Sequence, residues 1–417
     1  QTSQPDSLTM PLFKLMMPLK SVVNSWRTLS PAARLLVTNG LAFNLGFYMM
    51  LPYLAHHLGS TLGLTGWITG LILGIRVFSQ QGLFLLGGTL GDRLGYRPAI
   101  LSGCLIRAFG FALLGWADSV PVLIIAAFLT GFAGALFTPC AQAYLAAECR
   151  DAEQRHQAFA LHNLASEVGM LLGPLAGLWL TNLSYAATGC ISGGIFLLLT
   201  ILQWCYLPQG VFASQSAPVS VLTQWHSIWL NRPFLRFTLS AAAYPILFHQ
   251  LYLAIPAYIQ STHQPASLLS SVFVITALIG VMLQLPVTHW VKTRLGLPRA
   301  IGIGLVCMGG SYVTMLCLAD IPVMAVTLQA VLFSFGSILC YPLFSVRLPY
   351  YAGNGQLGSY YGFHASFGGC VALLSNVIVG RMLGNPGIKP PEILWYVLLG
   401  VGVLSGWMLY RQLSSED

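Results

Sequence analysis

The sequence predicts an all-α membrane protein with twelve transmembrane helices in two pseudo-twofold six-helix halves. Three observations carry that expectation. Of the 417 residues 56% are hydrophobic and only 7% are charged, where soluble domains carry roughly 25% charged residues, so a soluble globular fold is excluded. Apolar runs long enough to cross the hydrocarbon core, about 20 residues each, recur along the chain. One short motif also occurs twice: RLGYRPAI, from Arg93 to Ile100, returns as RLGLPRAI, from Arg294 to Ile301, each time between two apolar runs. The offset, 294 − 93 = 201 residues, is close to half of the 417-residue chain, as expected of an internally duplicated membrane bundle.

Taken in order, residues 1–32 are polar and then weakly amphipathic, with Lys14, Lys20 and Arg27 among Leu, Phe and Met. Without the continuous apolar core and cleavage site of a signal peptide, they are expected to form a cytoplasmic tail, partly interfacial. Spans are expected at 33–58, 66–90, 97–117, 121–147, 156–182, 186–207, 233–260, 266–290, 298–319, 321–348, 357–383 and 391–411. That gives an N-terminal half at 33–207, a cytoplasmic linker at 208–232, a C-terminal half at 233–411 and a cytoplasmic tail at 412–417.

Charge distribution orients the bundle. Of the 19 Lys and Arg, 15 fall in the tails or even-numbered connections: 14, 20, 27, 34, 93, 97, 150, 155, 232, 236, 292, 294, 299, 347 and 411. Only Arg381 and Lys389 fall on the other side. Positive charge collects on the cytoplasmic face, so with an even number of spans both termini are expected there, in a bacterial cytoplasmic (inner) membrane. The net charge of +8 is then a topological excess and not a nucleic-acid footprint. The nine cysteines are scattered and mostly lie inside apolar runs, with no CxxC and no Cys/His metal spacing, so they read as small packing residues. No paired catalytic carboxylates, nucleotide loop or nucleophile triad appears, and no loop is large enough to hold a catalytic domain. An enzyme, a metal and a cofactor are therefore not expected.

The stretch Gly88-Thr-Leu-Gly-Asp-Arg-Leu-Gly-Tyr-Arg97 is a charged, glycine-rich hinge between two spans. It resembles the loop signature of the major facilitator superfamily, Gly-x-x-x-Asp-Arg-x-Gly-Arg-Lys, between the second and third helices. The second copy has decayed, with His289 and Thr293 matching Gly88 and Asp92, and Tyr96 stands where the family usually has a basic residue. The resemblance implies conformational gating by Gly88, Asp92, Arg93, Gly95 and Arg97, with Asp92 set against the positive end of a helix in the other half. Capping of the third helix by Asp92 is compatible with the same pattern.

Gly169-Met-Leu-Leu-Gly-Pro-Leu-Ala-Gly177 resembles the fifth-helix motif associated with exporters and antiporters of that superfamily. Gly169, Gly173 and Gly177 form a smooth i, i+4, i+8 stripe for close helix approach, and Pro174 is expected to bend the helix. The stretches around Arg76 and Arg107 are similar to the matching regions of a bacterial twelve-helix multidrug-resistance subgroup. The family's arginine motif of the fourth helix is absent from Phe128–Leu145, and Arg107 or Arg76 is the replacement expected for that cation.

Deep in the spans, away from helix ends, the ionised residues are Arg76, Arg107 and Glu167. Charges there are costly and usually functional. Arg76 precedes Gly88 by 12 residues, about 18 Å at 1.5 Å per residue, near the midplane. Glu167 is the leading proton-coupling candidate, with a fixed ion pair to Arg76 or Arg107 as the alternative. His162, His249 and His364 are further titratable candidates. Substrate-binding candidates besides the two arginines are Asn39, Asn44, Tyr48, Gln80, Gln142, Tyr244, Gln250, Tyr252, Gln284 and Tyr341.

Together these features predict a proton-coupled exporter working by alternating access. Two deep arginines against one glutamate favour an anionic or zwitterionic metabolite, such as a carboxylate siderophore, while the subgroup resemblance points to an amphipathic drug. An importer on the same fold is the alternative. The expected partners are the small-molecule substrate, protons and membrane lipids, with no nucleic acid and a monomer as the working unit.

Overall fold

The computed structural model describes residues 26–84, 86–87, 90, 95–149, 151–208, 228–351 and 357–416. Twelve helical spans follow in order. The first six are α1 (Pro31–His56), α2 (Gly66–Val77), α3 (Tyr96–Trp116), α4 (Val120–Glu148), α5 (Ala152–Leu183) and α6 (Tyr185–Tyr206). Next come α7 in three pieces (Arg232–Ala241, Ala243–His249 and Ala254–Ser261), then α8 (Ala266–Trp290), α9 (Leu297–Ser311), α10 (Pro322–Tyr351), α11 (Leu357–Leu383) and α12 (Glu392–Glu416). Among the described residues eleven helical stretches are long and apolar enough to cross a membrane. The remaining one, α2, continues through a π-helical turn at Phe78–Gly82. The molecule is an integral membrane protein.

Local chemistry starts these helices where the sequence allows. Ser30 accepts from the Ala33 amide at 3.1 Å, with Pro31 opening α1. Asp151 caps α5 through the Gln154 amide at 2.7 Å, and Asn231 caps α7 through the Phe234 amide at 3.1 Å. Each cap satisfies a backbone N–H that the helix itself leaves open.

The expected unbroken span 233–260 is corrected by two interruptions, at Ala242 and at Gln250–Leu253. Their cause is in the sequence. Pro245 and Pro256 each fall in the first turn of the piece that follows a break. A proline lacks an N–H and clashes with the carbonyl four residues back, so it is accommodated by restarting the helix. The expected span 298–319 is likewise divided, into α9 and a short turn of helix at Thr314–Cys317.

The duplication is visible in backbone and contacts. Gly95 and Gly296, the shared glycine of the two RLG motifs, both have positive φ (91° and 79°) and directly precede α3 and α9, a conformation that only glycine adopts without strain. In the first half α3 lies against α4 and α6, and α1 against α5; in the second α9 lies against α10 and α12, and α7 against α11. Across the halves α2 meets α11 and α8 meets α5.

The glycine stripe of α5 packs within its own half. A methyl group on Gly173 would lie 2.6 Å from the Tyr48 Cβ of α1, and Gly169 and Gly177 face the same helix. Arg97, one of the expected gating residues, joins two helices of one half: its Nε and Nη2 donate to the carbonyls of Leu207 and Trp204, each at 2.8 Å, closing the C-terminus of α6. Gly88, Asp92 and Arg93 lie outside the described residues.

The two ends of the bundle differ. At the end away from the interhalf linker, here the far end, the halves meet backbone to backbone. The Gly66 amide donates to the Gly384 carbonyl at 2.7 Å, the Cα of Gly70 faces the Asn376 carbonyl, and a methyl on Gly74 would lie 3.1 Å from the Leu373 Cα. Gly70→Val therefore drives the far end apart. In a background stripped of native cysteines, Ser270→Cys is expected to react several-fold faster with an impermeant maleimide from the far side when Gly70→Val is added; equal rates contradict the account.

Candidate functional site

A cavity of about 620 Å3 lies between the halves. Its walls come from α1, the π-helical turn after α2, α4 and α5 on one side and α7, α8, α10 and α11 on the other, and they extend from Tyr252 and Phe273 to Phe84, Thr238, Leu348 and Tyr361 near the linker end. Much of the lining is aromatic. Tyr244 stacks on Tyr341 with centroids 5.0 Å apart and on Phe248 at 5.5 Å. Phe273 lies 5.1 Å from Tyr252 and, across the halves, 6.1 Å from Tyr48. Such rings supply large apolar area with a polar edge, suited to an amphipathic organic ligand.

Polar groups interrupt this surface at few places. The π-helical turn after α2 brings two consecutive glutamines, Gln80 and Gln81, to the wall; π-bulges often mark functional sites because the wider turn re-aims side chains. Gln284, His249 and His364 also line the cavity. His364 Nδ1 lies 3.4 Å from Thr238 Oγ1, and His249 lies among Phe248 and Tyr252. Glu167 reaches the cavity from α5, and its Oε2 is buried without a hydrogen-bond partner. Among the described residues it makes no ion pair, so the alternative of a fixed bridge to Arg76 or Arg107 is absent from this conformation.

A second pocket, about 270 Å3, lies inside the first half. Asn39, Asn44, Gln142, His162 and Arg107 line it, and Tyr48, Gln80 and Thr138 border both this pocket and the central cavity. His162 Nδ1 is 3.3 Å from the Leu36 carbonyl, and Asn44 donates to the Gly40 carbonyl at 2.9 Å. Arg107 of α3 shares this lining with Phe137 and Gln142 of α4, the helix whose arginine the sequence lacks.

Two expectations are corrected. Arg76 lines neither space: it is buried, donates to the Gln80 Oε1, and lies with its Cζ 4.5 Å from the Phe47 centroid. Its hydrogen bond to Gln80 is its link to the wall. Gln250 is sealed in the break of α7, donating to the Ile246 carbonyl at 2.9 Å and to Asn376 Oδ1 at 3.4 Å, where it serves backbone that the break exposes. Some residues of the wall and of the seam were not among the sequence candidates. Gln81 of the wall stood beside Gln80 in an apolar run, and Gly66, Gly70 and Gly74 of the seam repeat the i, i+4, i+8 spacing noted in α5.

The far end is held by a polar strap. The Tyr53 hydroxyl donates to the Pro174 carbonyl at 2.6 Å and pairs with Ser270 of α8, joining α1, α5 and the other half.

The sequence profile of the Major Facilitator Superfamily matches residues 35–376. The chain belongs to that superfamily. It is a membrane transporter of small molecules and not an enzyme. An MFS-type transporter of Mycobacterium tuberculosis is 37% identical over 390 residues, covering 91% of this chain and 93% of that protein. The multidrug resistance protein MdtH of Proteus mirabilis is 28% identical over 387 residues, covering 91% and 94%. Among solved structures, the POT family transporter PepTSo has a TM-score of 0.72 at 16% identity, covering 92% of this chain and 98% of that one. The nucleoside transporter NupG gives 0.72 at 14% identity, covering 92% and 99%. At those identities the solved structures speak for the fold alone.

In a superfamily member the strap has a simple consequence. Tyr53→Phe removes the donor from a buried carbonyl, a loss of about 1–3 kcal/mol, and it does so only where the far end is closed. The purified variant is expected to melt several degrees lower and to label faster at a far-end cysteine. Unchanged melting and labelling would show that the strap contributes nothing.

Proposed function

We propose that this transporter exports amphipathic organic molecules from the cytoplasm in exchange for protons, by alternating access. The observation that carries the reading is Glu167, a half-buried carboxyl without a counter-charge on the wall of an aromatic cavity shared by both halves. The relative named as a multidrug resistance protein supports efflux of drug-like compounds. On this reading the chain works as a monomer in a bacterial inner membrane with both termini cytoplasmic, since Lys and Arg collect at the linker end. The conformation is then inward-facing: the far end is closed by α2 against α11, and the cavity extends toward the cytoplasm.

The cycle follows from differential affinity. A ligand shifts the balance of two conformations only by binding one more tightly than the other. In the inward-facing state cargo enters along the wall of Tyr244, Tyr252 and Tyr341, and Glu167 gives its proton to the cytoplasmic side. When the far end opens, cargo leaves and Glu167 takes a proton from outside. With the carboxyl neutral, the empty site can close and turn back toward the cytoplasm more readily than with it charged, since an uncompensated charge in a dry interior is costly. Arg76 holds Gln80 in place, and His249 and His364 supply further hydrogen-bonding groups on the cavity wall.

The test is transport into inside-out vesicles or proteoliposomes under an acid-inside gradient, with a panel of fluorescent amphipathic dyes. Glu167→Gln is expected to lose at least tenfold of gradient-driven accumulation while retaining dye binding, and its residual transport is expected to lose most of its pH dependence. Undiminished transport in the variant removes Glu167 from coupling. Movement of the same dyes only in the opposite sense overturns the export reading.

A further inference from the structure

Resting on the reading of the chain as a transporter of organic solutes, we propose that the 270 Å3 pocket of the first half is a receptor for a carboxylate, held by Arg107 and Asn39 beside the central cavity. The Arg107 guanidinium is walled by four phenylalanine rings, with its Cζ 4.5 Å from the centroid of Phe43, 5.2 Å from Phe196, 5.6 Å from Phe111 and 6.0 Å from Phe47. It is 5% exposed, and its Nε has no hydrogen-bond partner. Among the described residues no carboxylate pairs with it. Rings solvate a cation only partly, and a buried charge without a counter-ion is among the costliest arrangements in a membrane protein.

Asn39 supplies the second, independent observation. It is 1% exposed, on the wall of the same pocket, with neither Oδ1 nor Nδ2 engaged. It precedes Phe43, on which the guanidinium lies, by one helical turn of α1. A carboxylate is an acceptor with two oxygens, so it can take the fork of N–H donors that an arginine offers and the Asn39 amide as well. A singly charged planar anion matches one guanidinium between apolar rings; a doubly charged phosphate would be left half-compensated.

Size and connection define the ligand further. At about 270 Å3 the pocket lies just below the roughly 300–1,000 Å3 of drug-sized sites, so it admits a small carboxylate or the head of a larger one. Because Tyr48, Gln80 and Thr138 border both spaces, a cargo with an anionic head and an apolar body can seat its head at Arg107 and its body among the tyrosines. The same chemistry also fits a small carboxylate that travels by itself.

The experiment uses the purified full chain in detergent, with sodium benzoate as the probe and benzamide, its neutral isostere, as the comparison at matched ionic strength. Benzoate is expected to raise the melting temperature in a saturable way, and benzamide is not. Arg107→Gln should abolish the benzoate response, and Arg107→Lys should weaken it. Asn39→Asp guards against misfolding, since it places a carboxylate permanently beside the arginine: it is expected to melt higher than the parent without ligand and to ignore benzoate. Glu167→Gln should keep the full response, so failure here is separable from failure of the coupling scheme. Equal effects of benzoate and benzamide on the parent chain, or a full benzoate response in Arg107→Gln or Asn39→Asp, overturns the proposal. In proteoliposomes, uptake of radiolabelled benzoate identifies a free carboxylate as the traveller, whereas benzoate that only competes with larger amphipathic carboxylates identifies a head-group receptor.

Discussion

An ionised side chain cannot face the acyl chains without a large cost, and that constraint organises this molecule. With 7% charged residues, nearly all of them at helix ends, the few placed at depth have to be turned inward and accommodated by protein. Arg76 is accommodated by Gln80 and a ring, Arg107 by four rings and an open pocket, and Glu167 by the cavity itself. None of the three is neutralised by a partner carboxylate or base among the described residues. A bundle that keeps uncompensated charge of both signs facing internal space is suited to binding and exchanging ions, and the superfamily to which it belongs performs transport.

The contact between the halves has a complementary property. Where α2 meets α11 the surfaces are largely backbone and glycine, with one amide-to-carbonyl bond at Gly66 and the Tyr53 strap nearby. Such a seam gains close van der Waals contact but needs no interlocked side chains, so it can part and re-form without repacking a core. Elsewhere the linker end carries side-chain ties of a different kind that stay within one half: Arg97 on α6, Ser30 to Glu148 at 2.7 Å, and Arg347 to Glu416 at 2.8 Å. Each half is thus internally tied while the seam between them is smooth, which is the mechanical requirement for rigid-body rocking.

Much of the architecture was legible in the residues. The repeated RLG motif marks two equivalent turns, and the positive φ of Gly95 and Gly296 gives its physical reason. The α5 glycines read as a packing stripe, and Glu167, placed off that stripe by helical periodicity, lines the cavity. Other features needed coordinates. Periodicity fixes which residues share a face of one helix but not which neighbour that face meets, so Arg76 and Gln250 counted as wall residues although one is turned behind Gln80 and the other is sealed against Asn376. The breaks in α7 were written in Pro245 and Pro256, yet apolarity alone reads across them. The division of the internal space into two compartments depends on where Tyr48, Gln80 and Thr138 converge, and no single-helix pattern carries that.

In alternating access one seam closes as the other opens about internal charged groups, and spin-label distances across both ends of the same reconstituted protein report the two seams together. One pair, Thr61 with Lys389, reports the far end; the other, Arg155 with Arg294, reports the linker end, and all four residues are exposed. On adding a transported compound and on shifting pH, the first distance is expected to lengthen as the second shortens, in step. Distances that stay fixed, or that lengthen and shorten together at both ends, contradict it.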